Sequence, residues 1–226
     1  NRGLGMKKII LDLCGGTGSW SKFYAKDSNN YEVRIIDPQE WINGKNSTGD
    51  VRLFEYPNTN VYGVLCAPPC TDFAVSGARW WKDKGESALL EGLSVVDACM
   101  RIILMTRPKF WAVENPVGRL RKYLGDPTLI FDPCDYGDPY TKKTLVWGDF
   151  NIPKRSKVEP EYITLKNGKR GSWMWAKLGG KSNEMYRGYL MGNVMKYLMR
   201  SPYKGKRVED LKKAQFYLNE LVECFE

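Results

Sequence analysis

A cysteine and a carboxylate in this sequence each follow an apolar run that is stopped by proline. Residues 61–67 are predicted to form a buried strand, a double proline ends it, and Cys70 begins the next loop. Residues 110–113 are predicted to form another strand, and Glu114 lies in the extended backbone that Pro116 imposes. Ligands of open α/β sheets bind beyond the carboxyl ends of the strands. The pattern therefore predicts a thiol nucleophile and an acid in one crevice.

The composition narrows the chemistry available to such a site. The sequence contains no histidine, so mechanisms that require a histidine base or a histidine-bound metal are excluded. General acid–base work then falls to Asp, Glu, Lys, Tyr and Cys. The six cysteines show no CxxC spacing, which favours reduced thiols over disulfides or a zinc site.

A glycine-rich turn separates the first predicted strand, residues 7–13, from a helix predicted over residues 20–26. The turn reads Gly-Gly-Thr-Gly and not the phosphate-binding Gly-x-Gly-x-x-Gly, so it suits a cofactor that needs close backbone approach but has no phosphate. The second strand, residues 33–36, ends at Asp37, about 20 residues after the turn, where a Rossmann-like fold places the acid that binds ribose hydroxyls.

These motifs, in this order, resemble those of the DNA cytosine-5 methyltransferases. The matching stretches are Asp-Leu-x-x-Gly-x-Gly at 12–18, Pro-Cys at 69–70 and Glu-Asn at 114–115, and the resemblance extends from about residue 7 to about residue 150. It implies an α/β fold with a mostly parallel, Rossmann-like sheet. It also implies methyl transfer from S-adenosylmethionine to C5 of cytosine, with Cys70 adding to C6 and Glu114 hydrogen-bonding the ring.

The resemblance also implies a set of cofactor contacts on the first two strands, the glycine turn and the loop before the nucleophile. They are Asp12, Gly15, Gly16, Gly18, Asp37, Asp50 and Pro68. Asp50 belongs to a Gly-Asp-Val segment that matches the family's adenine contact, although a Gly-Asp pair is also an ordinary turn. Trp41 is a further candidate to cover the adenine.

Basic and aromatic residues alternate without an apolar period between Cys70 and residue 85. Charges for phosphates and rings for bases suit a strand of nucleic acid. We expect DNA contacts at Ser76, Arg79, Trp80, Lys82 and Asn115; the alternative is that the tryptophan pair at 80–81 plugs the core. The net charge of +9, from 35 Lys+Arg against 26 Asp+Glu, agrees with a polyanionic partner.

One segment departs from the family pattern. A Tyr-Gly-x-Pro match at 136–139 should be followed by Gln-x-Arg-x-Arg, but these three positions hold Tyr140, Lys142 and Thr144. Two guanidinium groups are therefore missing. Lys142 is a candidate to replace one charge in the catalytic site, but an ammonium group cannot make a planar, two-toothed contact.

The organisation of the chain follows from these assignments. We expect a catalytic domain at 1–150, a basic recognition or linker region at 151–185 and a helical hairpin at 186–226. The middle region has room only for a loop or a small hairpin, so we expect short or lax sequence recognition.

The predicted tail helices, residues 190–200 and 208–222, carry Gly-Asn-x-x-Lys-Tyr-x-x-Arg and Glu-Asp-Leu-Lys-Lys-Ala. This pattern resembles a small helical family of phage proteins, some of which are described as nucleotide kinases. Two such short helices cannot be stable alone, so we expect them to associate and make a homo-oligomer. Alternatively, Gly192-Asn193 is the closing motif of the methyltransferase family, which returns to the cofactor site.

No apolar run reaches membrane-spanning length and no signal-peptide pattern is present, so we expect a protein of the cytoplasm, or of the host cytoplasm if phage-encoded, without a membrane partner. DNA is the expected partner. Two other functions remain open from the sequence: a catalytically silent nucleic-acid-binding or decoy protein with this fold, and an enzyme that acts on free cytosine nucleotides.

Overall fold

The computed structural model describes residues 6–38, 49–56, 60–160, 163–164, 170–171, 183–201 and 207–225. Two compact units make up the chain. The first comprises Asn1–Phe131 and Lys143–Pro153, and the second comprises Asp132–Lys142 and Lys154–Glu226. Trp41 lies outside the described residues, as do residues 161–162, 165–169 and 172–182 of the expected recognition region.

The first unit is built on a six-stranded sheet. In chain order its strands are β1 (Lys8–Leu13), β2 (Tyr31–Ile36), β3 (Val61–Cys66), β4 (Phe110–Pro116), β5 (Leu129–Phe131) and β6 (Thr144–Asp149). Their spatial order is β2-β1-β3-β4-β6-β5, with the first four parallel and β6 antiparallel to both neighbours. This arrangement confirms the mostly parallel α/β sheet predicted from the sequence.

Both faces of the sheet are covered, which explains the nearly continuous apolar strands. Alternate residues of β1 face opposite sides. Leu11 packs on one face with Val96 and Cys99 of helix α2 (Trp81–Thr106). On the other face, Ile10 belongs to a cluster that includes Tyr24 of the short helix α1 (Lys22–Lys26).

Helix α2 begins at Trp81, six residues before the helix that the apolar spacing predicts over residues 87–106. The sequence predicts an irregular loop to residue 85, but short 3₁₀ turns cover Cys70–Asp72 and Val75–Trp80, and α2 starts at Trp81. Gly85, at φ 72° and ψ −174°, breaks the helical conformation inside this span. The short turns bury too few residues to leave a 3.6-residue pattern, so the sequence gives no sign of them.

Strand β4 also extends beyond its predicted end. Its pairing with β3 stops at Cys66 opposite Val113, but antiparallel β6 continues alongside it and places Glu114 opposite Val146. Glu114 and Asn115 are therefore held by strand hydrogen bonding on one side. After β4 comes a helix of one turn, α3 (Arg121–Leu124).

The second unit contains a 3₁₀ turn at Pro133–Tyr136, a two-residue pairing of Ile163–Thr164 with Arg170–Gly171, and two helices. The helices are α4 (Asn183–Arg200) and α5 (Arg207–Val222), and α4 begins seven residues earlier than predicted. Leu190, Ala214 and Leu221 are buried, and the rings of Tyr197 and Tyr217 stack with centroids 5.7 Å apart. No helix in the described ranges is both long and apolar enough to cross a membrane.

Candidate active site

The carboxyl ends of the parallel strands bring the sequence motifs to one edge of the sheet. Leu13 at the end of β1 pairs with Ile36 of β2 and with Cys66 of β3. The Ala67 amide donates to the Leu13 carbonyl at 3.0 Å, and the Cys14 amide donates to the Ile36 carbonyl at 2.7 Å. The glycine turn, the β2 acid and the Pro-Pro-Cys segment therefore start side by side.

Cys70 is exposed at the first position of a 3₁₀ turn, directly after the two prolines. Pro68 is buried, and its carbonyl accepts a hydrogen bond from the Asn115 side-chain amide at 2.9 Å. Asn115 is fully buried, and its Oδ1 has no partner among the described residues. Asn115, which we expected to contact DNA, thus joins the end of β4 to the segment that precedes Cys70.

The turn after Cys70 is fixed by the core. Phe73 is fully buried, and the amides of Phe73 and Ala74 donate to the Cys70 carbonyl at 3.0 and 2.9 Å. Gly118 lies so close that a Cβ there would sit 1.9 Å from the Phe73 carbonyl oxygen. Only glycine fits at this crossing, which allows the residues after β4 to pack against the turn.

Glu114 is half-buried in β4, next to the asparagine that holds Pro68. Successive strand residues point to opposite faces, so the side chains of Glu114 and Asn115 lie on different faces of the sheet. Glu114 and the exposed Cys70 thus lie at or just after the carboxyl ends of two neighbouring parallel strands, β4 and β3.

Cys70 differs from the other cysteines in its exposure. Cys66, Cys99 and Cys134 are buried, and Cys14 and Cys224 are partly so. A hydrogen bond with Cys99, together with burial, raises the pKa of the Cys14 thiol far above its usual range. A thiolate is the reactive form of cysteine, so the Cys14 thiol is a poor nucleophile.

The glycine turn forms a tight cradle around Asp12. This residue is fully buried and accepts a hydrogen bond from the Ser21 hydroxyl at 2.5 Å, and burial raises the pKa of its carboxyl group. A Cβ on Gly15 would lie 2.4 Å from Asp12 Oδ1, an oxygen without a partner among the described residues. Gly18 has a φ of +69°, where other residues would be strained.

The two remaining acids of the expected cofactor site have different surroundings. Asp37 is buried, and its Oδ2 accepts a hydrogen bond from the Gly16 amide at 3.0 Å, which joins the end of β2 to the glycine turn. Asp50 is held by Arg52, whose guanidinium donates to both carboxylate oxygens and also pairs with Glu91 at 2.6 Å. The hydrogen bonds from Arg52 lower the pKa of Asp50.

These features fit a cofactor that lies against the backbone and carries a hydroxyl-bearing sugar. The glycine positions exclude side chains from the cradle, and buried Asp12 Oδ1 offers an acceptor. No group of three or more metal-binding side chains occurs within the part of the chain that the structure describes.

The predicted DNA-contacting residues around the start of α2 are mostly accessible. Ser76, Arg79 and Lys82 are exposed and Trp80 is half-buried, with the Arg79 guanidinium 6.0 Å from the Trp80 ring centroid. Trp81 is also half-buried, so neither ring is enclosed in the core.

The segment that departs from the family pattern is divided between the two units. Lys142 is exposed and belongs to the second unit, whereas Cys70 and Glu114 belong to the first. Thr144 is buried in β6 opposite Pro116. Burial raises the pKa of the partly buried Tyr140.

Three side chains of the nucleophile region were not anticipated: Asp72, Lys84 and Arg119. Lys84 Nζ lies 2.6 Å from Asp72 Oδ1, and Arg119 Nε donates to the Asp72 carbonyl at 2.7 Å. Their types are common on protein surfaces, and Arg119 lies 47 positions away from its partner. Only the folded contact identifies them.

Similarity to known proteins covers most of the chain. Over 165 residues it is 30% identical to a probable DNA (cytosine-5)-methyltransferase of Frog virus 3 (isolate Goorha), covering 64% of this chain and 73% of that protein. Over 200 residues it is 23% identical to the Type II methyltransferase M.DdeI of Desulfomicrobium norvegicum, covering 70% of this chain and 46% of that protein. Residues 179–219 match a family described as a protein of unknown function, DUF3310.

Two solved structures are also similar. One is a candidate DNA modification methyltransferase encoded within an E. coli prophage, with 16% identity, a TM-score of 0.45, and coverage of 68% of this chain and 52% of that one. The other is the Entamoeba histolytica methyltransferase EhMeth, with 17% identity, a TM-score of 0.45, and coverage of 71% and 59%. The chain thus spans little more than half the length of these solved chains.

Proposed function

This chain belongs to the DNA cytosine-5 methyltransferase family, and we propose that it transfers a methyl group from S-adenosylmethionine to C5 of cytosine in DNA through a covalent bond to Cys70. One observation carries the proposal: the hydrogen bond from Asn115 to Pro68 joins the Glu-Asn strand end to the Pro-Cys turn. The exposed thiol and the acid are thereby held at the sheet edge that also bears the glycine cradle.

The cofactor would be held by the cradle and the acids beside it. Gly15, Gly16 and Gly18 allow close backbone approach, Asp12 offers a buried acceptor, and Asp37 is placed to bind the ribose hydroxyls. Asp50 and Pro68 complete the set on the adenine and nucleophile sides. S-adenosylmethionine supplies an electrophilic methyl group to this site.

Cys70 solves the main chemical problem, which is that C5 of cytosine is a weak nucleophile. Its thiolate adds to C6 and forms a carbon–sulfur bond, and the electron pair of the C5–C6 double bond becomes available at C5. After C5 is methylated, its proton passes to a base, the double bond re-forms and the thiolate leaves. A proton is lost from C5 in exchange for the methyl group, so the ring is restored.

Glu114 stabilises the ring while the charge develops. Its carboxyl group, protonated or sharing a proton, donates a hydrogen bond to N3 of the target cytosine and accepts one from the exocyclic amine. Electron density increases in this part of the ring after thiolate addition. A hydrogen bond that strengthens in the transition state raises the rate, not merely the affinity. The half-buried setting of Glu114 limits competition from water.

DNA binding is assigned to the basic and aromatic surface after the nucleophile. Exposed Ser76, Arg79 and Lys82 contact phosphates and Trp80 stacks on a base, aided by the overall charge of +9. The target cytosine must leave the stack to reach the thiol. We place this activity in the cytoplasm, the host's if the gene is from a phage.

The test is covalent trapping. A DNA duplex that contains 5-fluorocytosine should form a stable adduct with the protein in the presence of S-adenosylmethionine, because fluorine cannot leave as a proton does. Peptide mapping should place the adduct on Cys70. An adduct on Cys66 or Cys14, or none at all, would contradict the mechanism.

A second candidate function is methylation of free cytosine nucleotides. Its support is the resemblance of the tail to phage proteins described as nucleotide kinases, together with the small size of the expected recognition region. Transfer of tritiated methyl groups to DNA and to dCMP, measured side by side, separates the two substrates. A protein that labels neither but still binds DNA would be the silent, nucleic-acid-binding form.

We also propose that the C-terminal helices mediate self-association. Beyond the side chains that α4 and α5 bury between them, each helix exposes an apolar stripe: Met191, Met195, Leu198 and Met199 on α4, and Val208, Leu211, Leu218 and Val222 on α5. A second copy would cover these stripes in a four-helix arrangement. Met195→Glu should therefore lower the molar mass measured by light scattering, and an unchanged mass would contradict the association.

The sequence leaves a second interpretation of the tail open. If Gly192-Asn193 is the closing motif of the family, deletion of residues 186–226 should abolish S-adenosylmethionine binding in calorimetry. If the tail serves association alone, the shortened protein should bind the cofactor normally and have a lower mass.

A further inference from the structure

The turn that follows the proposed nucleophile carries a buried ion pair that the proposed chemistry does not use. Lys84 Nζ lies 2.6 Å from Asp72 Oδ1, and the two side chains are only 5% and 11% exposed. Lys84 Nζ also donates to the Thr71 carbonyl at 2.8 Å. Burying two charges is costly unless their hydrogen bonds are satisfied. The pair therefore ties the Cys70–Asp72 turn to the start of α2.

Arg119 connects the same turn to the residues after β4. Its Nε donates to the Asp72 carbonyl at 2.7 Å, and its backbone amide donates to the Phe73 carbonyl at 2.9 Å. Its guanidinium carbon lies 4.5 Å from the centroid of the Trp81 ring, within the range of a cation–π contact. One side chain thus contacts the nucleophile turn and the first residue of α2.

The charges show that Arg119 does not act as an ordinary ion-pair partner. The Asp72 carboxylate pairs with Lys84, and Arg119 binds only the main-chain carbonyl of Asp72. Arg119 Nη2 is buried without a partner among the described residues. An unsatisfied buried donor is a cost, so a side chain that served packing alone would be better replaced by an apolar one.

We propose that Arg119 and the Asp72–Lys84 pair are positioning residues for Cys70, an assignment that rests on the function proposed above. The carbonyls of residues 71, 72 and 73 each accept a hydrogen bond from outside the turn. The backbone that carries the thiol is therefore held from the sides of both β4 and α2. A nucleophile must approach its target to about 3–3.5 Å, and a displacement of about 1 Å can lower the rate about a hundredfold.

Arg119→Gln is the main test, with Arg121→Gln as its matched control. Arg121 is another arginine of the same segment, but it is exposed and pairs with Asp126 at the surface. In Arg119→Gln, kcat and the rate of adduct formation with 5-fluorocytosine DNA should fall about ten- to a hundredfold. KM for DNA and the affinity for S-adenosylmethionine should change less than about twofold, and Arg121→Gln should match the wild type in all four measurements.

Conservative and paired variants guard against simple misfolding. Arg119→Lys keeps a donor and a cation near Trp81, so it should recover part of the lost rate. Asp72→Asn leaves Lys84 buried without its counter-charge and should lower both the melting temperature and kcat. The double variant Asp72→Asn/Lys84→Gln removes both charges and should regain most of the stability, but kcat should stay low because the turn is no longer tied to α2. The activity of each variant is measured well below its melting temperature, so that the protein is folded. If the single variants then have the kcat of the wild type, the proposal is wrong.

Hydrogen exchange provides a readout that needs no activity. The amides of Phe73 and Ala74 donate to the Cys70 carbonyl, so their exchange reports opening of the turn. Exchange at both should accelerate at least about tenfold in Arg119→Gln and not in Arg121→Gln. If the wild type methylates DNA while Arg119→Gln shows normal exchange and kcat, only the positioning role is refuted. If exchange accelerates in Arg119→Gln but the wild type neither methylates DNA nor forms an adduct, Arg119 does hold the turn and the methyltransferase function is refuted.

Discussion

The glycine turn after β1 and the turn after β3 lie at the same edge of the sheet but are stabilised in different ways. The glycine turn is held through its own backbone amides: Gly18 donates to the Gly15 carbonyl within the turn, and Cys14 and Gly16 donate to the Ile36 carbonyl and the Asp37 carboxylate at the end of the adjacent strand β2. The Cys70 turn is held by side chains from elsewhere, because Asn115 and Arg119 each contact it from 47 positions away.

The difference reflects what each turn has to do. A cofactor cradle needs open space beside the backbone, which glycine provides locally. A nucleophile needs a fixed position relative to a bound base, and a short exposed turn cannot fix itself. Long-range contacts therefore carry the precision at Cys70, and substitutions should separate the two turns into a binding part and a rate-determining part.

Cys70→Ala should have the largest effect. Without the thiol no bond to C6 can form, so methyl transfer to DNA should fall to background. Cofactor affinity should be retained, because the exposed side chain is not needed to stabilise the cradle. Tritiated methyl transfer and calorimetry measure the two quantities, and Cys66→Ala, a buried cysteine four residues earlier, is the control for loss of a thiol. Residual turnover in Cys70→Ala would show that another group is the nucleophile.

Glu114→Gln comes next. General acid catalysis is typically worth about a hundred- to ten-thousand-fold, so kcat should fall within that range while DNA affinity changes little. The amide keeps the size of the side chain and its place in the β4–β6 ladder. Single-turnover kinetics and gel-shift titration provide the comparison. If turnover remains near normal, Glu114 is merely a carboxylate at the end of a strand.

Two glycine substitutions, one in the glycine turn and one beside the Cys70 turn, test directly whether the first turn determines cofactor binding and the second the rate. In Gly15→Ala the new methyl group would meet Asp12, so cofactor affinity should fall by about tenfold or more. In Gly118→Ala it would meet the Phe73 carbonyl, so kcat should fall by up to about a hundredfold with cofactor affinity unchanged. Gly188→Ala, which has open space around it, is the control. Parallel losses of affinity and kcat in both variants would mean that the two turns are not independent.

The same contrast explains what could be predicted from the sequence. Strand ends and glycine turns follow from local apolar runs and from residues that break them. The sequence therefore sufficed to predict the strands of the sheet and the position of Cys70 in the loop after β3. The extension of β4 to Pro116 was not, because it depends on pairing with antiparallel β6, whose alignment has no local signal. Nor could the sequence show that the Asn115 side chain is buried and donates to the Pro68 carbonyl, because that contact joins residues 47 positions apart.

The side chains around Cys70 were out of reach for a related reason. Asp72 and Lys84 are residue types that usually face solvent, and no apolar period marks the turns between them. A buried ion pair can be recognised only when both partners are seen in the low-dielectric setting that makes them interact strongly.

The smallest expected effect concerns Arg52, which holds Asp50, the proposed adenine contact. The pair is partly exposed, with side chains 36% and 28% accessible, and exposed ion pairs contribute about 0–1 kcal/mol. At neutral pH, Arg52→Gln should therefore weaken cofactor binding by no more than about fivefold.

The dependence of cofactor affinity on pH below neutrality is more informative. Hydrogen bonds from Arg52 lower the pKa of Asp50, so the carboxylate keeps its charge to lower pH in the wild type.

In Arg52→Gln the Asp50 carboxyl group should protonate at a higher pH, because its main stabilising partner is gone. Loss of cofactor affinity on acidification should then begin at a higher pH in the variant than in the wild type. Calorimetric titrations over a series of pH values measure this shift, and Arg34→Gln, which breaks the exposed pair of Arg34 with Glu32, is the control. If cofactor affinity is lost over the same acidic pH range in Arg52→Gln and in the wild type, Asp50 does not contact the cofactor. The cradle would then bind S-adenosylmethionine through Asp12, Asp37 and the glycine backbone alone.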